Sequence, residues 1–198
     1  GNKMASNIIS DTIDAAYPIA GVDNDTQGFR DNFTVIKTGL STATSEISTL
    51  QSSTAKLNAS NDFNGTNIAD ANIQVQTSQY HNVGTVVAGL NISFLNGHYQ
   101  SITTNLPVAT TSIAFNLSDW PARTMYAEMT VSFLGNDTAK TATFTVAGGG
   151  SIKYDTNYPK VSNVPTLTLD SSTNPLLVKF WTYNSGTTVF AQYLGQYT

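Results

Sequence analysis

The sequence predicts a mainly β protein with an N-terminal α-helical coiled coil and a C-terminal antiparallel β-sandwich or jelly-roll head, assembled as a homotrimer. Three observations predict this: an apolar heptad stripe near the N-terminus, alternation of apolar and polar residues over the second half, and a charged fraction of only 11%. The predicted parts are an N-terminal anchor segment at 1–24, a coiled-coil stalk at 25–58, a short β connector at 59–76 and a β-sandwich head at 77–198.

The stalk is predicted from residues spaced alternately four and three apart. They are Phe29, Phe33, Ile36, Leu40, Ala43, Ile47, Leu50, Thr54 and Leu57. This spacing puts one side chain about every 3.5 residues on a single seam, which is narrower than the buried face of an ordinary globular helix. The acidic cluster that begins at Asp23 predicts a helix start near Asp25, and the end of the stripe predicts a helix end near Leu57.

The predicted helix needs a partner because its other positions are mostly Ser, Thr, Asn and Gln, which leave an isolated helix marginal. A helical hairpin within one chain would require a second amphipathic helix, and the sequence offers none. The seam also lacks the β-branched a residues and Leu d residues of dimers, which favours three strands over two. We therefore predict oligomerisation through the seam.

Phe63, Ile68 and Ile73 recur every five residues around an Asn-Gly turn, a spacing that fits neither a helix nor a regular strand. This pattern predicts a short β connector in which chains intertwine. In the head, Met125 to Leu134 alternates apolar and polar residues, as half-buried strands do. Two further strand patterns flank Asn184-Ser185-Gly186, which predicts a hairpin.

Composition excludes several classes of function. The net charge is −4 and the nine Lys and Arg are scattered singly, which disfavours nucleic-acid binding. The chain has no cysteine, so thiol catalysis and thiolate metal sites are excluded. No apolar run reaches the roughly 20 residues that span a bilayer, so membrane insertion is not expected.

Catalytic and metal-binding patterns are weak, and the sequence predicts no enzyme, no cofactor and no metal. His81 and His98 lie in separate segments, although copies of one histidine on a three-fold axis remain an open alternative for holding an ion. A glycosidase needs two carboxyl groups across a sugar site. The acids of the predicted head are well separated in sequence: Asp119, Glu128, Asp137, Asp155 and Asp170.

Aromatic residues are the best candidates for ligand contact in the head. The loop-like stretch from Tyr154 to Pro159 predicts exposed rings, and the candidate ligand-binding residues are Tyr154, Asp155, Asn157 and Tyr158. For Trp181 we favour a place in the core or at a subunit interface.

The segment Tyr17-Pro18-Ile19-Ala20-Gly21-Val22-Asp23-Asn24-Asp25-Thr26-Gln27-Gly28-Phe29-Arg30-Asp31-Asn32-Phe33 resembles an N-terminal module of virion structural, tail-fibre-like proteins of marine T4-like tailed phages. In those proteins a similar segment precedes a short coiled coil and an element like Asn61-Asp62-Phe63-Asn64-Gly65. The resemblance covers roughly residues 10–75. It implies a trimeric virion component that is anchored through its N-terminus, and it carries over no catalytic residue.

Together these patterns predict a non-enzymatic phage virion protein, found extracellularly after release. It would be a short trimeric fibre that contacts other virion proteins through residues 5–33 and uses its head for host attachment or particle stabilisation. The receptor would be a host surface glycan or protein. The alternatives are a lectin-like carbohydrate-binding module outside a virion and a polysaccharide depolymerase with a site between subunits.

Overall fold

The computed structural model describes residues 7–8, 12–23, 26–56, 58–63, 67–135, 138–171 and 174–198. The chain divides into two compact units, Gly1–Ala71 and Asn72–Thr198. Within the described residues, no helix combines the length and the apolar character needed to cross a bilayer.

Among the described residues of the first unit there is one helix, α1 (Thr26–Ser53), at the place where the heptad stripe predicts it. The helix ends earlier than predicted, although the N–H of Thr54 still donates to the carbonyl of Leu50 at 2.9 Å. The Asn61 side chain takes over the next backbone groups, because its Oδ1 accepts from Lys56 N at 2.6 Å and its Nδ2 donates to Lys56 O at 2.7 Å. These two bonds hold Lys56 in a loop and stop helical propagation.

Residues 12–23, which we call the strap, run back along α1. Asn32 clamps the backbone of Asp14 twice: its Oδ1 accepts from Asp14 N at 2.9 Å and its Nδ2 donates to Asp14 O at 3.0 Å. The ring of Tyr17 meets Phe29 edge-on with centroids 5.0 Å apart. Further towards the N-terminus, Asn7 N donates to Glu46 Oε1 at 2.6 Å. The segment is therefore folded against its own helix and antiparallel to it.

The second unit consists of strands and short connecting turns. The strands are β1 (Tyr80–Val86), β2 (Asn91–Ser93), β3 (Tyr99–Thr104), β4 (Ser112–Ser118), β5 (Ala127–Gly135), β6 (Lys140–Val146), β7 (Ser151–Tyr154), β8 (Lys160–Val161), β9 (Val164–Pro165), β10 (Leu167–Leu169), β11 (Leu176–Thr182) and β12 (Thr188–Gln196). A six-stranded sheet has the order β1-β3-β5-β11-β12-β7 and a four-stranded sheet the order β10-β6-β4-β2, while β8 and β9 pair separately.

The two larger sheets share one core, so the predicted sandwich of β strands is confirmed at this level. Phe133 and Phe180 of the six-stranded sheet meet Phe115 and Phe144 of the four-stranded sheet, with ring centroids 5.0–5.6 Å apart between the sheets. Phe115, Phe133 and Phe180 are fully buried. Burying rings of this size is worth about 2 kcal/mol each or more, which ties the two sheets together.

The prediction of antiparallel sheets is wrong. Five of the nine strand pairings among the described residues are parallel. From β1 to β6 the chain alternates between the sheets, so each strand returns beside its predecessor in the same sheet and in the same direction. The hairpin formed by β11 and β12 around Asn184-Ser185-Gly186 is antiparallel, as predicted.

The connector forms no strand in the described residues of 59–76. Phe63, Ile68 and Ile73 are each exposed in the single chain. A strand needs hydrogen-bonding partners, and the partners supposed for this element belong to other chains. The intertwined connector stays a prediction about the assembly.

Candidate functional site

The seam of α1 presents a continuous apolar stripe to solvent in the single chain. The side chains of Phe33 and Leu40 are 68% and 65% exposed, and those of Phe29, Ile36, Ile47 and Leu50 are also exposed. Ala43 is half-buried and Thr54 is exposed, while Leu57 lies outside the described residues. Exposed apolar side chains in a row mark an interaction surface, because monomeric proteins rarely leave such patches open.

The strap covers a different face of the helix. The residues that face it follow a second four-three spacing, offset from the seam: Gly28, Asn32, Val35, Gly39, Thr42 and Glu46. Between this face and residues Asn7 and Thr12 lies a groove of about 210 Å³. At 100° per residue the two stripes are about a third of a turn apart. The strap meets the seam at Phe29, through the ring of Tyr17, and leaves Phe33, Leu40, Ile47 and Leu50 exposed.

The polar surface of the helix is satisfied internally. Hydroxyl groups donate to carbonyls four residues back, as Thr34 does to Arg30 O at 2.7 Å and Thr38 to Thr34 O at 2.9 Å. Thr42 repeats the pattern at 3.0 Å. These hydroxyl groups therefore bond within their own helix and do not bind a partner. The apolar seam is the surface of α1 that can pack against another chain.

The second unit carries a set of exposed or half-exposed rings on the outer side of the six-stranded sheet. We call them the aromatic face: Tyr80, Tyr99, Tyr126, Trp181, Tyr183 and Phe190. The pleat explains their position, because successive side chains in a strand point to opposite sides. Phe180 and Thr182 of β11 are fully buried, so Trp181 between them points outward.

The centre of the aromatic face is a stacked pair. Trp181 and Phe190 are direct register partners on β11 and β12, with ring centroids 4.1 Å apart and an interplanar angle of 12°. Tyr183 lies 5.8 Å from Phe190, and Tyr126 lies 5.8 Å from Trp181. These four rings contact each other from neighbouring positions and form one continuous surface.

The charges on this face are paired. Lys179 Nζ lies 2.5 Å from Glu128 Oε2, and the Tyr126 hydroxyl donates to the same carboxylate. The hydrogen bond from Lys179, followed by that from Tyr126, lowers the pKa of Glu128. The same carboxylate raises the pKa of Tyr126 and that of Lys179. Both hydrogen bonds favour the ionised form of Glu128, whereas a general acid needs a carboxyl group that keeps its proton.

The four predicted ligand-binding residues fall in different environments. Tyr158 is only 2% exposed, so the expectation of an exposed ring there is wrong. The loop after β7 folds inward, and Tyr158 packs edge-on against Tyr154 with centroids 4.6 Å apart. Both carboxylate oxygens of Asp155 accept backbone hydrogen bonds, one from Asn157 N at 2.7 Å and the other from Tyr193 N at 3.1 Å. Asn157 is exposed.

Two of those four residues nevertheless border the aromatic face. Tyr154 and Asp155 line a groove of about 660 Å³ together with Lys153, Trp181, Tyr183, Thr188, Phe190, Ala191 and Gln192. Phe190 and Tyr126 were missed in the sequence, although Phe190 stands out as an aromatic residue in a hairpin strand. Trp181 is half-buried on the outside of the sheet and does not belong to the sandwich core.

In the described part of the chain no group of three or more His, Cys, Asp or Glu could hold a metal ion, although His98 and Glu128 line the same groove. His81 is half-buried on β1, and His98 is exposed beside Phe94 with ring centroids 5.6 Å apart. Comparison with known proteins adds no assignment, since no protein-family model, curated protein or solved structure matches this chain.

Proposed function

We propose that this chain is a non-enzymatic virion structural protein of a marine tailed phage. It forms a short trimeric fibre, anchored to other virion proteins near its N-terminus, with a β head that attaches to the host surface or stabilises the particle. The protein is then located in the virion and is extracellular after release.

The observation that carries this proposal is the uncovered seam of α1. Its apolar side chains repeat at coiled-coil spacing, and the strap packs mainly on another face of the helix and meets the seam at Phe29. A lone helix with such a surface is marginal in water, whereas copies of the chain can bury the seam against each other. The resemblance of Tyr17 to Phe33 to phage virion modules supplies the virion context.

The test is the solution mass of the full chain beside a fragment of residues 77–198, measured by multi-angle light scattering. We expect three times 21.1 kDa for the full chain and a monomeric fragment. A trimeric fragment would show that the head itself contains an assembly interface. A monomeric full chain would overturn the stalk and with it the fibre.

One observation, the aromatic face, favours the lectin-like alternative. Ligand binding at this face would not require the protein to be part of a virion. A binding module of that kind would hold its ligand whether or not the chain assembles into particles. Immunogold labelling of purified phage particles with an antibody against this protein separates the two alternatives. A virion protein should be labelled on the particles, whereas a lectin-like module outside the virion should not.

The depolymerase alternative receives less support from this face. Glu128 is held ionised by Lys179 and Tyr126, and both oxygens of Asp155 accept backbone hydrogen bonds. A glycosidase acid requires a raised pKa. Incubating the full-length protein with host polysaccharide and assaying new reducing ends tests this alternative, including a site between subunits.

A further inference from the structure

We infer that the aromatic face is a binding surface for a neutral polysaccharide. The inference rests on the proposed function, because it names the ligand class and the residues through which the head would attach. It concerns the outer side of the six-stranded sheet, centred on Trp181, and not the loop residues that the sequence suggested.

The rings offer flat apolar area that is already in position. Trp181 stacks on Phe190, and Tyr126 and Tyr183 flank this pair while remaining 60% and 51% exposed. A pyranose ring has an apolar face of C–H groups that packs on such rings, while its hydroxyls point sideways. Because the rings hold each other, little side-chain entropy is lost on binding.

The polar groups beside the rings suit sugar hydroxyls. The row of register partners next to the stacked pair runs Tyr80, Tyr99, Thr130, Lys179 and Gln192 across five strands. At about 4.8 Å between strands the row is about 19 Å long. That length accommodates several sugar units, so the surface fits a chain better than a monosaccharide.

The charge pattern selects a neutral ligand. The cation and the anion at the centre of the face, Lys179 and Glu128, are bound to each other. Lys153 and Asp155 both line the groove, again one residue of each sign. The face therefore has no excess charge with which to attract an anionic polysaccharide.

The same pair disfavours a second copy of the chain as the occupant. Cores of protein interfaces are depleted in Lys and Glu, and burying this ion pair in a dry interface costs desolvation energy. Sugar hydroxyls can instead hydrogen-bond to both Lys179 and Glu128 without removing them from a polar environment. The observations thus favour a hydroxyl-rich ligand over a protein surface.

The experiment is affinity electrophoresis of the full-length protein in native gels. Each gel contains one soluble polysaccharide: a mixed-linkage β-glucan, an α-mannan, a galactan or, as the anionic comparison, alginate. We expect slowed migration in at least one neutral gel. In that gel, Trp181→Ala and Tyr183→Ala should each raise the dissociation constant at least fivefold.

Tyr197→Ala is the matched control, because Tyr197 is 54% exposed, as Tyr183 is at 51%, but does not belong to the aromatic face. It should leave the dissociation constant within twofold. Tyr183→Ala also guards against misfolding, since removing an exposed ring leaves the core intact. Thermal melts of all variants check this.

Four results would overturn the inference: no retardation in any neutral gel, retardation only by alginate, retardation that the two variants do not weaken, or a change in solution mass caused by Trp181→Ala. The last result would mean that another copy covers the face. Light scattering on the same samples separates this inference from the proposed function. A trimer that is not retarded refutes only the binding surface, whereas a monomer that is retarded refutes only the fibre.

Discussion

The ring of Tyr17 lies directly over Gly28, so closely that an added methyl group at Gly28 would stand 2.6 Å from Cζ of the ring. Two further ring carbons of Tyr17 would lie 2.7 and 2.8 Å away. Real Cβ atoms essentially never approach other atoms this closely, so an alanine here would force the Tyr17 ring to shift, and glycine is what lets the ring lie in this position. Residue 28 is not a seam position, although the same Tyr17 ring also meets the seam residue Phe29 edge-on, with ring centroids 5.0 Å apart.

We therefore expect Gly28→Ala to release the strap while keeping the helix. Alanine is favoured over glycine inside a helix by about 1 kcal/mol, so α1 itself should gain stability. Hydrogen exchange read out by mass spectrometry should show at least tenfold faster exchange over residues 12–20. Ser41→Ala is the control, since it raises helix propensity at an exposed position; unchanged exchange in Gly28→Ala would contradict the packing of Tyr17.

The double change Leu40→Asn with Ile47→Asn should dissociate the proposed trimer. Both side chains are exposed in the single chain and lie two turns apart on the seam, so amides there would be desolvated in a coiled-coil core. Light scattering at micromolar concentration should give the monomer mass. Ser45→Ala, on the opposite side of the helix, should keep the mass of the wild-type protein, and a double variant that remains trimeric would refute the seam as the interface.

Tyr158→Phe should stabilise the second unit at neutral pH. The Tyr158 hydroxyl is buried and has no hydrogen-bond partner among the described residues. Removing an unsatisfied buried hydroxyl should raise the free energy of unfolding by about 1 kcal/mol. Urea denaturation at pH 7 measures this, and a clear loss of stability would show that the hydroxyl has a partner.

The same variant has a predicted pH dependence. Burial, with smaller contributions from Tyr154 and Asp155, raises the pKa of Tyr158 above its ordinary value of 10.0. Above that pH the unfolded chain loses the proton while the folded chain keeps it, so stability falls as pH rises. The advantage of Tyr158→Phe should therefore grow by about 1.4 kcal/mol per pH unit above pH 10; a constant difference between pH 9 and 11 would contradict this.

Thr182→Val should destabilise the hairpin that carries Trp181 and Phe190. The buried Thr182 hydroxyl donates to Thr188 O at 2.8 Å and accepts from Gly186 N at 3.1 Å and Asn184 N at 3.3 Å. Valine has the same shape but leaves these groups unpaired, at a cost of about 2 kcal/mol in the free energy of unfolding. Thr182→Ser keeps the hydroxyl and should retain most of the stability; a Thr182→Val variant as stable as the wild-type protein would contradict the role of the hydroxyl.

Sequence reasoning succeeded where a pattern reports a local geometry. The four-three spacing located α1, and the turn residues around Ser185 located the β11–β12 hairpin. It failed for Tyr158, because a tyrosine between turn residues has the same neighbours in sequence whether its loop points outward or folds back onto Tyr154. Burial of that ring depends on residues distant in the chain.

The aromatic face could not be predicted from the sequence for a related reason. Trp181 and Tyr183 are close in sequence, but Tyr126 joins them only because β5 pairs with β11, and Phe190 because β12 pairs on the other side. Alternation identifies which residues share one side of a strand. It does not identify the neighbouring strand or which side faces the core.

Residue patterns alone are enough to locate the helix, its apolar stripe and the strand-rich character of residues 77–198, because periods of 3.5 and 2 residues follow from backbone geometry within one element. The parallel direction of most strand pairings among the described residues could not be read from the pattern, since alternating side chains look the same along a parallel and an antiparallel strand. The packing of Tyr17 over Gly28 and against Phe29, and the exposure of most of the seam, likewise depend on tertiary contacts, because the strap lies on a helix face where the sequence shows mainly small and polar residues.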